Sequence, residues 1–310
     1  MTGPRGELPI LPAGTQVVTT VDLRGDAGGV RVPRGAMGTI LKSPADGTHS
    51  YWVRLVDGAE HAFTRAQIAT LARFQDHELA PAGGRELFAR VILQVIVGSR
   101  AYGLHGADSD TDRRGVYLPP AELHWSLYGV PEQIDDEPAQ ATFWELQKFV
   151  VMGLKANPNV LECLWSPLVG SCTALGRELL ALRSAFLSRL VFQTYSGYVA
   201  SQFRKIEADW RQHGAPKWKH VMHLLRLLGA GVGVLRTGEV AVDVGDQRER
   251  LLAVRRGELP WPEVEAWRLD LHQQFTAAAQ ATALPERPDY ERVDAFLRRA
   301  RRLALAAELP

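Results

Sequence analysis

Apolar residues recur along this chain in three different rhythms. From about Pro12 to Thr70 they come in short runs broken by turns: "TQVVTTVDL", "RGDAGGVRVPRGAMGTILKS" and "PADGTHSYWVRLVDGAEHAFTRAQIA". In "YWVRLV" large apolar residues alternate with polar ones, the period of a strand with one buried face. "VDGAEHAF" carries a hairpin signal, because Asp57-Gly58 suits a turn that needs positive φ. Five such strands in about 60 residues bury their inner faces by curling up, so a small SH3-like β-barrel is expected over residues 1–75.

The polar stretch "RFQDHELAPAGGRE" that follows, with Gly83-Gly84 near its end, reads as a linker. Between 84 and 170 helix and strand mix. "ARVILQVIV" is a β-branched run between polar flanks and reads as a buried strand. "TDRRGVYL" reads as a second strand and "EQIDDEPAQATFW" as containing a third. "ELQKFVVMGLKANP" reads as a helix with a stripe of Leu146, Phe149, Val150 and Leu154, stopped at Asn157-Pro158. From 171 to 310 the pattern is helical almost throughout, broken at Gly197, Gly214-Ala215-Pro216, Gly238 and "GELPWPEV", and closed by an amphipathic helix in "ALPERPDYERVDAFLRRARRLALAAEL". The expected class is α+β: a barrel (1–75), a catalytic domain with a short mixed sheet (84–170) and a helical domain (171–310).

Composition narrows the function classes. The chain has 310 residues, 46% of them hydrophobic and 23% charged, ordinary values for a globular protein with a sizeable core. Its formal charge of +1 excludes a global basic field, so any nucleic-acid surface is local. Cys163 and Cys172 are too few for a disulfide framework or a zinc site. No run approaches the roughly 18 apolar residues of a membrane span, and the opening has no signal-peptide core, so a cytoplasmic protein is expected.

One stretch combines the residue types of phosphate chemistry: "VGSRAYGLHGADSDTDRRGVYL", from Val97 to Leu118. Gly98 directly follows a buried strand, where a side chain would block a ligand from the backbone, and Ser99 adds a hydroxyl there. Asp110 and Asp112, two apart on an extended segment, project to one face. Two carboxylates on one face repel each other unless a cation sits between them, and oxygen-only donors suit Mg²⁺ or Mn²⁺.

"GSRAYGLHGADSDTDRRGVY" resembles the signature of the DNA polymerase β-like nucleotidyltransferases. With "KANPNVLECLW" downstream it is most similar to the predicted nucleotidyltransferases of an RNA-repair pathway. The likeness runs from about Val91 to Pro167, continues through "KWKHVMHLLRLL" and "ALPERPDYERV", and leaves the N-terminal barrel outside. It implies a metal-dependent enzyme that moves a nucleoside monophosphate from an NTP to a hydroxyl, with RNA as the favoured acceptor and release of pyrophosphate. It places Gly98 and Ser99 at the triphosphate and makes Asp110 and Asp112 the catalytic, metal-binding pair. Asp108 sits before Ser109 and faces away or caps the turn. The superfamily's third carboxylate aligns with Gln140. Either a shift of three or four residues brings Asp135, Asp136 or Glu137 into place, or the third ligand is missing.

Other cations have two readings each. Arg100 reaches a phosphate or pairs with a nearby aspartate. Arg113 forms a structural ion pair, and Lys148 lies on a solvated face or faces the cleft. Lys219, His223 and Arg226 fall at i, i+4 and i+7, one helix face, either solvated or gripping the triphosphate. The "RRARR" run at Arg298 to Arg302 is expected to be exposed. Two alternatives keep the fold: AMP transfer to a protein or small molecule, and a silent nucleotide- or RNA-binding scaffold.

Overall fold

Alternation in "YWVRLV" produces a strand whose buried and exposed residues separate cleanly over Tyr51–Leu55, as the computed structural model of the protein shows. It describes residues 10–24, 29–44, 50–71, 73–74, 84–107 and 109–305, so most of the expected linker, and Asp108, lie outside the described residues. The chain divides into two compact units, 1–80 and 81–310.

The first unit holds strands β1 (Gln16–Thr19), β2 (Leu23–Arg24), β3 (Val30–Val32), β4 (Met37–Lys42), β5 (Tyr51–Leu55), β6 (Glu60–Phe63) and β7 (Ile68–Thr70). Five of them form an antiparallel sheet in the order β6-β5-β4-β1-β7, while β2 and β3 pair separately. Tyr51, Val53 and Leu55 point inward to meet Val17, Ile40, Phe63 and Ile68. On the outer face Trp52 and Arg54 both bond Glu60 across the hairpin, which turns at Gly58 with φ +87°. The expected barrel is not closed: edge strands β6 and β7 do not pair. They are only four and three residues long, and the 3₁₀ turn between them (Arg65–Gln67) bonds internally, Gln67 N–H to the Thr64 carbonyl.

The second unit is built on a mixed sheet of β8 (Val91–Ile96), β9 (Arg113–Tyr117), β10 (Gln133–Asp136), β11 (Ala141–Glu145) and β12 (Val169–Cys172), ordered β10-β11-β9-β8-β12. Only β11 and β9 run parallel. The stretch from Glu132 to Trp144, read as containing one strand, holds a hairpin of two, because Pro138 cannot donate to a ladder and the chain turns there.

Eleven helices occur in this unit among the described residues: α1 (Gly84–Phe88), α2 (Gly98–Ala101), α3 (Ala121–Trp125), α4 (Leu146–Leu154), α5 (Pro158–Trp165), α6 (Ala174–Ala181), α7 (Leu190–His213), α8 (Trp218–Thr237), α9 (Arg248–Arg256), α10 (Trp261–Ala281) and α11 (Tyr290–Leu303). Asn157-Pro158 does end α4, and it also starts α5: the Asn157 side chain accepts from Asn159 N–H and Pro158 takes the first helical position. Gly214 and Gly238 end α7 and α8 in the left-handed region, as read, but Gly197 lies within α7. One helical glycine costs about 1 kcal/mol, too little to interrupt a long packed helix. The C-terminal basic run is largely engaged: Arg301 reaches the buried Glu145 at 2.6 Å, Arg298 pairs with Asp294, and Arg299 pairs with Glu178. Sheet and helices share one hydrophobic cluster, from Leu93 and Val116 through Phe149 and Phe186 to Leu228 and Val234.

Strands β8 and β9 approach so closely that a Cβ on Gly115 would meet the Leu93 carbonyl oxygen at 1.9 Å. Gly115→Ala is therefore expected to lower unfolding stability by about 2–4 kcal/mol in a denaturant titration. Gly229→Ala, inside α8 with nothing within 4 Å of its added methyl, is expected to be neutral or to stabilise by up to about 1 kcal/mol.

Candidate active site

Strand β8 ends at Ile96, and the chain reverses through Val97 into α2. Gly98 makes this possible with φ +71°, a conformation unfavourable for any residue with a Cβ. The position is also occupied from the other side: a Cβ there would lie 2.7 Å from Asp112 Oδ2. The sheet brings Asp112 to this point, since Val97 N–H donates to the Asp112 carbonyl at 2.9 Å and extends the β8–β9 ladder by one residue. The aspartate pair thus precedes β9 rather than lying on it, with Asp112 beside Gly98 and Asp110 exposed two residues further out. Ser99 lies in α2, and its hydroxyl makes no hydrogen bond among the described residues.

Arginines fix the loop between α2 and the aspartates. Arg100 donates to the carbonyls of Ser109 (2.8 Å) and Asp110 (3.2 Å), so it positions the loop that carries the aspartates. From α9, Arg248 donates to the Gly103 carbonyl and Arg255 to that of Leu104. Neither had a sequence signal, because their partners are backbone carbonyls about 150 residues away. Arg113 donates to the Ala139 carbonyl instead of joining an ion pair. Arg114 stands 4.0 Å from Asp112.

A cavity of about 410 Å³ opens beside Gly98 and Asp112. Thr142 and Trp144 of β11 and Gln133 of β10 line it on the sheet side, and Asn159 and Glu162 of α5 line it opposite. Tyr102 and Arg114 complete the wall. None of the expected third carboxylates enters it. Gln140 sits in the β10–β11 turn with φ +49°, and its carbonyl pairs with Arg113 N–H. Asp136 is bonded within that turn to Ala139 N–H, and Glu137 is exposed. Asp135 shares the cavity's sheet face but accepts from Thr142 Oγ1 and Gln133 Nε2. Its register partner Thr142 pairs in turn with Arg114, so Asp135 lies two strand spacings, roughly 10 Å, from β9. That is too far to share one ion with Asp112.

Among the described residues no three His, Cys, Asp or Glu side chains converge on a metal position. Two carboxylates still fit a hard cation that keeps its waters and takes triphosphate oxygens as its remaining ligands. Asp112 satisfies the donor chemistry: its carboxylate accepts no protein hydrogen bond among the described residues, and its one cationic neighbour is Arg114.

The cationic stripe of α8 divides. Lys219 is exposed. Arg226 is buried, with its Nη1 2.8 Å from Glu162 Oε1, and both side chains are about 95% buried (4% and 5% exposed). Its guanidinium lies 3.7 Å from the Tyr102 ring centroid, while the Tyr102 hydroxyl donates to Glu162 Oε2 at 2.6 Å. Burial disfavours the arginine's charge, but Glu162 outweighs it and raises the pKa. Burial and Glu162 together raise that of Tyr102. Arg226 therefore anchors the cavity wall and does not face a phosphate. Lys148 pairs with Glu132 at 2.5 Å, and His220 pairs with Asp209 at 2.7 Å.

Two outcomes follow. Arg226→Met strands the buried Glu162 and is expected to cost about 3–5 kcal/mol of stability, while Glu162→Gln with Arg226→Met recovers most of it; denaturant midpoints measure both. His223, whose pKa burial and then Arg226 lower from 6.5 to about 4, stays neutral in the fold. As pH falls from 6.5 toward 4 the unfolded chain binds a proton that the folded chain does not, so this contribution is complete above pH 6.5 and lost through that window. His223→Gln is expected to flatten the stability–pH curve there by up to about 3 kcal/mol.

Comparison with known proteins agrees with this geometry. The family model RlaP, described as RNA repair pathway DNA polymerase beta family, matches residues 64–299, including β8, the Gly-Ser turn, both aspartates and α5. A relative from Bacillus subtilis (strain 168), the uncharacterized protein YcgL, is 34% identical over 83 residues, or 26% of this chain and 32% of that protein. This chain therefore matches only about a third of that relative's length. No solved structure matches it at a significant level. With a left-handed Gly-Ser turn, an aspartate seated against it and a family match over most of its length, the chain belongs to the RNA repair pathway DNA polymerase beta family.

Proposed function

We propose that this chain transfers a nucleoside monophosphate from an NTP to a hydroxyl at an RNA end. The acceptor oxygen bonds to the α-phosphorus, the bond from that phosphorus to the bridging oxygen breaks, and pyrophosphate leaves. Family membership gives the coarse class, a polymerase β-like nucleotidyltransferase. The observation that carries the finer reading is the Asp112 carboxylate, which lies against the side-chain-free Gly98 at the mouth of the 410 Å³ cavity.

Asp110 and Asp112 are the residues that would hold Mg²⁺ or Mn²⁺. Such an ion supplies charge neutralisation on the triphosphate and polarisation of the reacting oxygens. Gly98 brings no side chain to the turn along which the phosphates would lie. Arg100, Arg248 and Arg255 hold the aspartate loop in place, so its geometry is set before substrate arrives. The first unit, an open antiparallel sheet, is proposed as a second grip on the RNA strand.

A silent scaffold is the second reading, favoured because no third metal-holding side chain groups with Asp110 and Asp112 among the described residues. Incubation with each labelled NTP, Mg²⁺ or Mn²⁺, and RNA bearing a free 3′-hydroxyl separates the two. Label is expected in RNA and is expected to drop by about 10²–10³-fold in Asp112→Asn, with unfolding stability unchanged. Nucleotide binding with no label on any acceptor would favour the scaffold. Label on protein would move the acceptor.

A further inference from the structure

The end of the cavity away from Gly98 has a built polarity. Gln133 and Trp144 are register partners on β10 and β11, and Asp135 and Thr142 are the next pair on the same face. Gln133 Nε2 donates to both Asp135 oxygens, at 3.0 and 2.9 Å, and Asp135 Oδ1 also accepts from the Thr142 hydroxyl at 2.7 Å. A carboxylate can only accept, so these bonds fix which way round the Gln133 amide stands. Nε2 is turned to the carboxylate, and Oε1 is left as the amide's acceptor for a ligand. Beside it Trp144 lines the cavity with its aromatic side chain, and Asn159 of α5 lines it with an amide that makes no side-chain hydrogen bond among the described residues.

We propose that Gln133 selects the nucleobase, oriented by Asp135, with the base stacked on Trp144. The inference rests on the nucleotide reading of this cavity and deepens it by naming the substrate class. A lone acceptor at this position pairs with an exocyclic amino group, which adenine carries as N6 and cytosine as N4. Uracil and hypoxanthine place a keto oxygen at the equivalent position, so two acceptors would face each other and neither would be satisfied. Stacking on Trp144 adds affinity for every base without discriminating among them. Asp135 acts as a positioning residue: its own contact with the base is not needed, only its hold on Nε2. This gives the residue read as a candidate metal ligand a different task at the same site.

The test is equilibrium binding by calorimetry on the full chain with Mg²⁺ and no acceptor, using two pairs that differ at that one position: CTP against UTP, and ATP against ITP. The amino-bearing member of each pair is expected to bind about tenfold more tightly. In Gln133→Ala and in Asp135→Asn, where the amide can turn over, both ratios are expected to fall below about threefold. In Trp144→Leu all four affinities should drop while the ratios hold. Gln133 and Asp135 are exposed, so thermal unfolding of those two variants should match the unaltered chain. Equal affinities within each pair, or ratios unmoved by both substitutions, would overturn the proposal while leaving nucleotide binding intact. Failure of all four nucleotides to bind would instead remove the nucleotide reading, and this inference with it.

Discussion

The contact on which the site depends is between a carboxylate and a missing side chain. Asp112 Oδ2 occupies space that a Cβ at residue 98 would fill, and Gly98 occupies a backbone conformation that only glycine adopts without strain. Each condition enforces the other. The turn keeps the carboxylate close to the backbone, and the β8–β9 ladder, extended to the Asp112 carbonyl, sets the height at which they meet. Asp112 is thereby held without a protein hydrogen bond to its carboxylate among the described residues, and its side chain stays 44% exposed to a ligand.

Around that contact the fold works as a brace. The helices do more than cover the sheet. Helix α9 reaches the loop between Gly98 and the aspartates through Arg248 and Arg255, and α8 reaches the cavity wall through Arg226. The buried Glu162–Arg226 pair is an expensive way to join two helices, since desolvation offsets much of the attraction. Its geometry is nonetheless complete on the carboxylate side: Glu162 takes Arg226 on one oxygen and Tyr102 on the other, and Tyr102 is the residue that caps α2. Through this chain of contacts the helical part bears directly on the Gly-Ser turn.

What the sequence made legible follows from the range of the interactions involved. Strand periods, the Asp57-Gly58 hairpin, the Asn157-Pro158 break and the Gly-Ser turn are local, and each appears where its residues implied. The open edge of the first sheet was not legible, because closure depends on whether two short edge strands meet, which no local pattern encodes. Arg100 and Arg226 carried two readings each for a related reason. A cation beside a phosphate motif looks available until its partner is known, and the partners here are two loop carbonyls and a glutamate 64 residues upstream. At Gln140, the expected place of the third carboxylate, the strand register decides what stands nearby: Asp135, an upstream carboxylate on the cavity's sheet face, is two strands from β9 and engaged by Gln133 and Thr142.

The central claim is that Asp110 and Asp112, with a triphosphate lying along the Gly98 turn, jointly hold a divalent cation. Electron paramagnetic resonance of Mn²⁺ titrated into the protein, with and without a non-hydrolysable NTP analogue, tests it most directly. A two-carboxylate site predicts weak Mn²⁺ binding alone, tightening by at least about tenfold when the analogue is present, and loss of that tightening in Asp112→Asn. Equal Mn²⁺ affinity with and without the analogue, or tightening that survives Asp112→Asn, would contradict it.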